Sequence, residues 1–144
     1  MELCTAPFDP YADLRRFQRS RGLDRGACGA TAVFVGSMRD FNEGESVAEL
    51  FLEHYPGMTE RCLEEIVAGT LADTGAEDAR VVHRVGPILP GEDIVLVAAF
   101  SSHRAEAFAA CRAIIEALKR DAPFWKREKG PAGERWVSCN TGDK

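Results

Sequence analysis

The apolar run at residues 94–100, Ile-Val-Leu-Val-Ala-Ala-Phe, limits the fold of this chain more than any other stretch. Apolar side chains at consecutive positions bury both faces of a strand, so the strand predicted at Asp93–Ser101 must be central and covered on both sides. A domain that meets this requirement places further strands beside the run and helices against it. The sequence therefore predicts a layered domain of helices and strands.

Hydrophobic spacing elsewhere predicts two long helices and five more strands. The helices are predicted at residues 58–72 and 104–120, and the strands at residues 29–38, 47–55, 80–86, 124–128 and 135–139. The order ββ-α-ββ-α-ββ indicates an α+β domain with an antiparallel or mixed sheet and packed helices. Because residues 39–46 form a short loop, we expect the first two strands to pair antiparallel. Residues 87–91 are expected to form a turn.

The 144 residues fit a single domain. Residues 29–139 form its predicted core, and residues 1–28 are interpreted as an accessory N-terminal segment. Within that segment Pro10 can open a short basic helix that runs to Arg19 and ends at Gly22. With 45% hydrophobic and 28% charged residues, the chain can bury a core and is not expected to be disordered.

Composition excludes several classes of protein. The net charge of −5 argues against nucleic-acid binding, which requires a broad basic surface. No apolar run approaches the roughly 20 residues that cross a bilayer, and the N-terminus lacks the apolar region of a signal peptide. The five cysteines include no Cys-x-x-Cys pair, and His54 and His83 lie among apolar residues without a ligand cluster. We therefore expect a soluble, cytoplasmic protein with no metal site, in which both histidines are structural.

One group of candidate functional residues lies where the central strand meets the second helix. Ser101 or Ser102 can cap that helix, and His103 and Arg104 follow at an N-terminus whose unpaired N–H groups attract anions. Arg39 ends the first strand and can join them if that strand neighbours the central one. Together these residues could form a cradle for a phosphate or carboxylate. The alternative is that they are exposed polar residues without a ligand.

A second group surrounds Pro123, which ends the second helix. Lys119 lies in the last helical turn, and Lys126 and Glu128 share one face of the strand that follows. A lysine can act as acid or base when its pKa is lowered, and a charged lysine can stabilise an oxyanion. Ordinary surface charge is the alternative for each lysine. Because Lys119 lies about 22 Å along the helix from Arg104, both can line one site only if it is an elongated groove.

Six motifs, in order, resemble the large catalytic subunit of molybdopterin synthase, the MoaE family. They are Phe-Val-Gly-Ser-Met-Arg at residues 34–39, Leu-Glu-His-Tyr-Pro-Gly-Met-Thr at 52–59, His-Arg-Val-Gly at 83–86, Pro-Gly at 90–91, Ser-His-Arg at 102–104 and Lys-Arg-Asp-Ala-Pro-Phe-Trp-Lys-Arg-Glu at 119–128. The second and the last motifs are highly specific. The resemblance covers about residues 29–136.

The resemblance implies an α/β hammerhead fold and a sulfurtransferase that needs no cofactor of its own. A homodimer of such subunits would bind small ubiquitin-like sulfur-carrier subunits (MoaD-like), giving a heterotetramer. The partner's flexible Gly-Gly tail would carry a C-terminal thiocarboxylate into a pocket of the large subunit. Two sulfurs would then pass in succession to cyclic pyranopterin monophosphate, which would form the dithiolene of molybdopterin.

The resemblance also implies roles for individual residues. Five residues would bind the substrate along one wall, the last three of them by holding its phosphate: Ser37, Met38, Arg39, His103 and Arg104. Lys119 would meet the carbonyl end of the incoming tail, where an ammonium can stabilise a developing oxyanion. Lys126 would act nearby in proton transfer or substrate placement, and Arg127 and Glu128 would complete the wall.

The C-terminus departs from the family pattern. The family often has a basic residue shortly after the tryptophan that matches Trp136, directed at the neighbouring subunit's site. Here residues 137–140 read Val-Ser-Cys-Asn, and Lys144 is the candidate replacement. The main alternative function is a non-catalytic anion-binding or scaffold subunit on the same fold.

Overall fold

The computed structural model describes residues 1–42 and 44–137. Its strands are β1 (Glu2–Cys4), β2 (Ala30–Ser37), β3 (Phe41–Asn42), β4 (Glu45–Ser46), β5 (Glu49–His54), β6 (Asp78–Arg84), β7 (Gly86–Ile88), β8 (Asp93–Ser101), β9 (Phe124–Gly130) and β10 (Gly133–Val137). Its helices are α1 (Pro10–Arg21), α2 (Met58–Thr74) and α3 (Arg104–Asp121), with a short π-type turn at Leu23–Ala27. The predicted α+β class is confirmed.

The first sheet has the strand order β1-β6-β8-β2, and β8 lies inside it as predicted. Strand β1 runs parallel to β6, whereas β8 is antiparallel to both β6 and β2. One face of β8 packs against α2 and α3 through Val95, Val97 and Ala99. The opposite face contributes Leu96 and Phe100 to a second apolar cluster. The apolar run is therefore covered on both sides, which is what its composition requires.

The N-terminal segment supplies the second covering layer of this sheet. Asp9 caps α1 by accepting hydrogen bonds from the backbone N–H groups of Tyr11 and Ala12. Phe17 on α1 stacks on Phe100 of β8, with ring centroids 5.6 Å apart. The segment is also held by charge, because buried Asp13 accepts hydrogen bonds of 2.8 and 2.9 Å from Arg80 of β6.

The second sheet has the order β10-β9-β5-β7 and forms an apolar cluster of its own. The predicted pairing of the strands at residues 29–38 and 47–55 is wrong: β2 pairs with β8, and β5 pairs with β7 and β9. The loop between them contains a two-stranded ribbon, β3 and β4, that carries the chain from one sheet to the other. Strand pairing depends on which apolar faces can be buried together. The length of the loop between two strands does not determine whether those strands pair.

Residues 86–88 form strand β7 where the sequence predicts a turn. Gly86 adopts φ 80°, a conformation that glycine tolerates, and redirects the chain from the first sheet to the second. Pro87 has no N–H to donate, and β7 accepts it because it is an edge strand.

Helix α3 connects the two sheets and ends just before β9, the strand that carries Lys126. A stripe of small and aliphatic residues buries one face of the helix: Ala107, Ala110, Cys111, Ile114 and Leu118. The N–H of Ala122 bonds to the carbonyl of Leu118, and Pro123 then prevents continuation. No helix among the described residues has the length and apolar character that a membrane span would require.

Candidate active site

Two adjoining cavities lie between the C-terminal end of α3 and the facing sheets. The first, of about 190 Å³, is lined by Ser37, Met38, Arg39, Phe41, Asn42, Val47, Leu50, Ile94, Lys119, Lys126 and Glu128. The second, of about 340 Å³, is lined by Phe34, Gly36, Ser37, Arg39, Leu50, Leu52, His83, Ile94, Val95, Ile115, Leu118, Lys119, Phe124 and Lys126. Arg39, Lys119 and Lys126 line both cavities. Three cationic side chains that lie far apart in the sequence therefore converge on one space.

Lys126 is held by a buried carboxylate. Its Nζ lies 3.0 Å from Oε1 of Glu128, the residue two positions further along β9. Glu128 also accepts hydrogen bonds from Asn42 at 2.8 Å and from Arg135 at 3.3 Å. Burial raises the pKa of Glu128, but the bond and charge of Lys126, with the other two donors, outweigh it and leave the pKa below its ordinary value. Glu128 is therefore ionised and fixes the Lys126 ammonium.

Lys119 reaches the cavities from the last turn of α3. The C-terminal end of a helix carries a partial negative charge, which favours a cation at this position. The side chain is exposed to the space between the sheets, where it lines both cavities opposite Lys126. An ammonium at the mouth of such a cavity can stabilise negative charge that develops on a bound carbonyl.

Arg39 is presented by a backbone clamp at the end of β2. The N–H of Met38 bonds to the carbonyl of Glu92 at 2.8 Å, and the N–H of Gly91 bonds to the carbonyl of Met38 at 2.9 Å. A register shift between Gly36 and Ser37 marks a bulge, a device that redirects side chains at a strand end. Met38 is buried against the second sheet and lines the first cavity, and the exposed side chain of Arg39, which follows it, lines both cavities.

His103 and Arg104 lie at the other end of the molecule from this site. The prediction that they join Arg39 in one cradle of the same chain is wrong, because β2 and β8 are antiparallel. Ser37 pairs with Asp93, whereas Ser101 pairs with Ala30. The eight residue steps along β8 separate the two ends by about 27 Å.

The predicted cap of α3 is also wrong. His103 occupies the cap position and makes no side-chain capping bond. Ser102 turns away from the helix and hydrogen-bonds to the Glu77 carboxylate through its backbone N–H, at 2.8 Å, and its hydroxyl. The side chains of His103 and Arg104 are therefore left exposed to solvent in a single chain.

Arg127 does not line either cavity. Alternate residues of a strand face opposite sides, so Lys126 and Glu128 point inward and Arg127 points outward. Its guanidinium lies between the rings of Phe51 and Trp136, 5.1 and 5.5 Å from their centroids. It also pairs with Glu134 at 2.8 Å. Arg127 therefore stabilises the outer face of the second sheet.

The structure adds two residues that sequence reasoning does not assign to the site. Asn42 is buried beneath Lys126 as a partner of Glu128, but a single amide in a polar loop gives no periodic signal. His83 lines the second cavity and stacks on Phe124 with ring centroids 4.2 Å apart. In the sequence, His83 lies among apolar residues as an ordinary core residue would. The sequence therefore predicted that His83 is buried but not that it lines a cavity. The proposed substitution of Lys144 for a family cation lies outside the described residues.

Comparison with known proteins identifies the family. The model of the MoaE protein family matches residues 3–121. Molybdopterin synthase catalytic subunits of Ralstonia nicotianae and Escherichia coli are both 46% identical to this chain, over 139 residues (96% of this chain and 77% of the relative) and 121 residues (84% and 81%). The MoaE protein structure from Burkholderia ambifaria has a TM-score of 0.80 at 43% identity, covering 99% of this chain and 91% of that one.

A more distant structure supports the same assignment. Molybdopterin synthase from Staphylococcus aureus has a TM-score of 0.81 at 28% identity, with 95% of this chain and 96% of that one covered. The fold is thus kept where most residues differ. The family match over most of the chain, together with relatives that share nearly half of its residues, shows that this protein belongs to the MoaE family.

Proposed function

We propose that this chain is the catalytic subunit of a molybdopterin synthase, a sulfurtransferase. It would pass sulfur from the C-terminal thiocarboxylate of a small ubiquitin-like subunit to cyclic pyranopterin monophosphate, forming the dithiolene of molybdopterin. The convergence of Lys119, Lys126 and Arg39 on adjoining cavities is the observation that carries the proposal. Two connected spaces suit two ligands, an extended peptide tail and a phosphorylated pterin, that must meet at one point.

The proposed roles follow from charge and position. The tail's sulfur would bond to a side-chain carbon of the pterin and displace an oxygen substituent there, which leaves a thioester between tail and pterin. Addition of water to the thioester carbonyl creates an oxyanion. Its collapse breaks the bond between the carbonyl carbon and the sulfur, leaves the sulfur on the pterin as a thiolate and frees the tail as a carboxylate. The ammonium of Lys119 would stabilise the oxyanion. Lys126, fixed by Glu128 at 3.0 Å, would place the substrate or move a proton beside it. Arg39 would bind the phosphate. Sulfur comes from the partner subunit, so the proposal requires no resident cofactor.

A second copy of the chain completes the proposed phosphate site. His103 and Arg104 cannot reach the cavities of their own chain across about 27 Å, but they are exposed and available to a neighbour. In a homodimer with two-fold symmetry, each copy would offer its α3 N-terminus to the other's cavities. This arrangement agrees with a heterotetramer of two large and two small subunits.

We place the reaction in the cytoplasm. The cysteines at positions 4, 28, 62 and 111 are free thiols. Unpaired cysteines are typical of proteins from a reducing compartment. A thiocarboxylate would also persist better there than under oxidising conditions.

The test is reconstitution of the reaction. The purified chain is mixed with thiocarboxylated small subunit and cyclic pyranopterin monophosphate, and dithiolene formation is followed over time. Lys119→Ala should abolish product while the chain remains folded, because Lys119 lies on a helix surface. Lys129→Ala is the matched control, since Lys129 is an exposed lysine of β9 outside both cavities. Equal rates for wild type and Lys119→Ala would instead support a non-catalytic scaffold.

A further inference from the structure

A buried histidine lies at the proposed site without a role in the proposed sulfur transfer. His83 is on β6, its side chain is buried, and it lines the second cavity together with Phe124, Lys119 and Lys126. Its ring stacks on that of Phe124 with an interplanar angle of 18°. One ring face is thus covered by Phe124, and the imidazole is held in a fixed orientation at a cavity that both lysines also line.

The protonation state of the ring follows from its hydrogen bond. Nδ1 of His83 lies 2.7 Å from the carbonyl oxygen of Arg84. A carbonyl can only accept, so Nδ1 carries a proton and donates it. Burial lowers the pKa of His83 to about 4, which leaves the ring neutral at physiological pH. Nε2 of a neutral imidazole protonated at Nδ1 is an acceptor with a free lone pair.

Within residues 1–42 and 44–137, no protein group hydrogen-bonds to Nε2 of His83, and Nε2 is not among the solvent-inaccessible atoms that lack a partner, so it is accessible from the cavity. An acceptor that faces a cavity can take a hydrogen bond from water or from the donor of a bound ligand. The side chain lines a cavity of about 340 Å³, which leaves room for such a ligand. The ring therefore has the features of a recognition group and not only those of a core residue.

We propose that Nε2 of His83 accepts a hydrogen bond from an N–H group of the ligand in the second cavity. This inference rests on the proposed function, which supplies two ligands with such a donor: the backbone amides of the Gly-Gly tail and the ring N–H groups of the pterin. The lone pair of Nε2 repels phosphate and carboxylate oxygens. His83 would thus direct anionic groups to Arg39 and the lysines, and turn an N–H edge toward β6.

Nitrogen NMR of the full chain tests the tautomer and the contact directly. With ¹⁵N-labelled histidine at pH 7, Nε2 of His83 should be unprotonated in the free protein. Its resonance should move when either cyclic pyranopterin monophosphate or a synthetic peptide ending in Gly-Gly is added to saturation. A proton on Nε2 in the free protein, or a resonance unmoved by both saturating probes, would overturn the inference.

Titration calorimetry of variants identifies the donor. His83→Asn keeps an N–H that can reach the Arg84 carbonyl but leaves no acceptor at the position of Nε2, and His54→Asn is a control outside both cavities. We expect His83→Asn to weaken binding of one probe by about three- to tenfold and the control to weaken neither. Loss for the peptide assigns the donor to the tail, and loss for the pterin assigns it to the ring.

The two proposals fail in different ways. If the wild-type chain binds neither the peptide nor the pterin, the proposed function is contradicted and the role of His83 is lost with it. If the wild type binds a probe and His83→Asn binds both with unchanged affinity, the role of His83 is wrong while the proposed function stands. Because the NMR experiment uses only the wild-type chain, instability of the variant leaves the test intact.

Discussion

Replacing Glu128 with glutamine should destabilise the protein and displace Lys126. The Glu128 side chain is 4% exposed and that of Lys126 is 23% exposed, so their 3.0 Å contact is largely shielded from water. Glutamine keeps the size of the side chain but removes its charge, and its amide would present N–H groups to Lys126, Asn42 or Arg135. Removing one member of a buried pair usually costs about 3–5 kcal/mol. The retained amide oxygen offsets part of this, so we expect a loss of about 2–4 kcal/mol.

The same carboxylate predicts how wild-type stability depends on pH. The folded pKa of Glu128 lies below its ordinary value of 4.5, so its interactions add stability above that unfolded pKa. This contribution is lost as the pH falls through the folded pKa. Glu128→Gln removes the group that titrates and should flatten this part of the curve.

Urea denaturation at a series of pH values between about 3 and 7 measures both effects. Glu53→Gln is the matched control, because Glu53 is an exposed glutamate on the neighbouring strand β5. It should change the free energy of unfolding by less than about 0.5 kcal/mol. The reasoning is refuted if the two variants lose the same stability, or if Glu128→Gln keeps the full acid dependence of wild type.

Three further predictions use the same assays. Mixing Lys119→Ala with Arg104→Ala subunits should restore about a quarter of the wild-type number of sites. Half of randomly formed dimers contain one copy of each variant, and one of the two sites in such a dimer has both residues intact. If dithiolene formation does not recover, a site shared between copies is excluded. Phe17→Ala should lower the free energy of unfolding by about 2–3 kcal/mol in urea, since its ring stacks on Phe100; an unchanged midpoint would contradict this. Because the pKa of His83 falls from 6.5 to about 4 on folding, wild-type stability should decrease as pH falls through that interval. The stability of His83→Asn should decrease less over the same pH interval. If stability falls equally steeply with pH in both proteins, the buried neutral ring is contradicted.

The elements set by local pattern were predictable from the sequence, and those set by long-range pairing were not. Strand β8 has the predicted bounds, Asp93–Ser101, because a short run of consecutive apolar residues is stable only as a strand buried on both faces. Helix α3 begins at Arg104 as predicted and ends at Asp121, one residue beyond the predicted end. The division into two sheets was not predicted. Several strands could form hydrogen bonds with the edge of β8, and packing of the whole core determines that β2 does so.

The site shows the same division. Lys126 and Glu128 were correctly placed on one face by strand alternation, and the end of α3 correctly brought Lys119 near them. The direction of β2 relative to β8 could not be derived from either strand alone, and it decides that Arg39 and Arg104 lie apart. Asn42 and His83 were missed as site residues because burial, rather than spacing, distinguishes them.

The packing of α1 has a practical consequence for anyone who shortens this protein. Residues 1–28 look dispensable in the sequence, yet their removal would expose Leu96, Phe100 and the apolar surface around them to water. An uncovered apolar patch of this kind promotes aggregation. It would also leave the Arg80 guanidinium without Asp13 and Glu2. A trimmed version should therefore precipitate on expression even though every cavity-lining residue is retained.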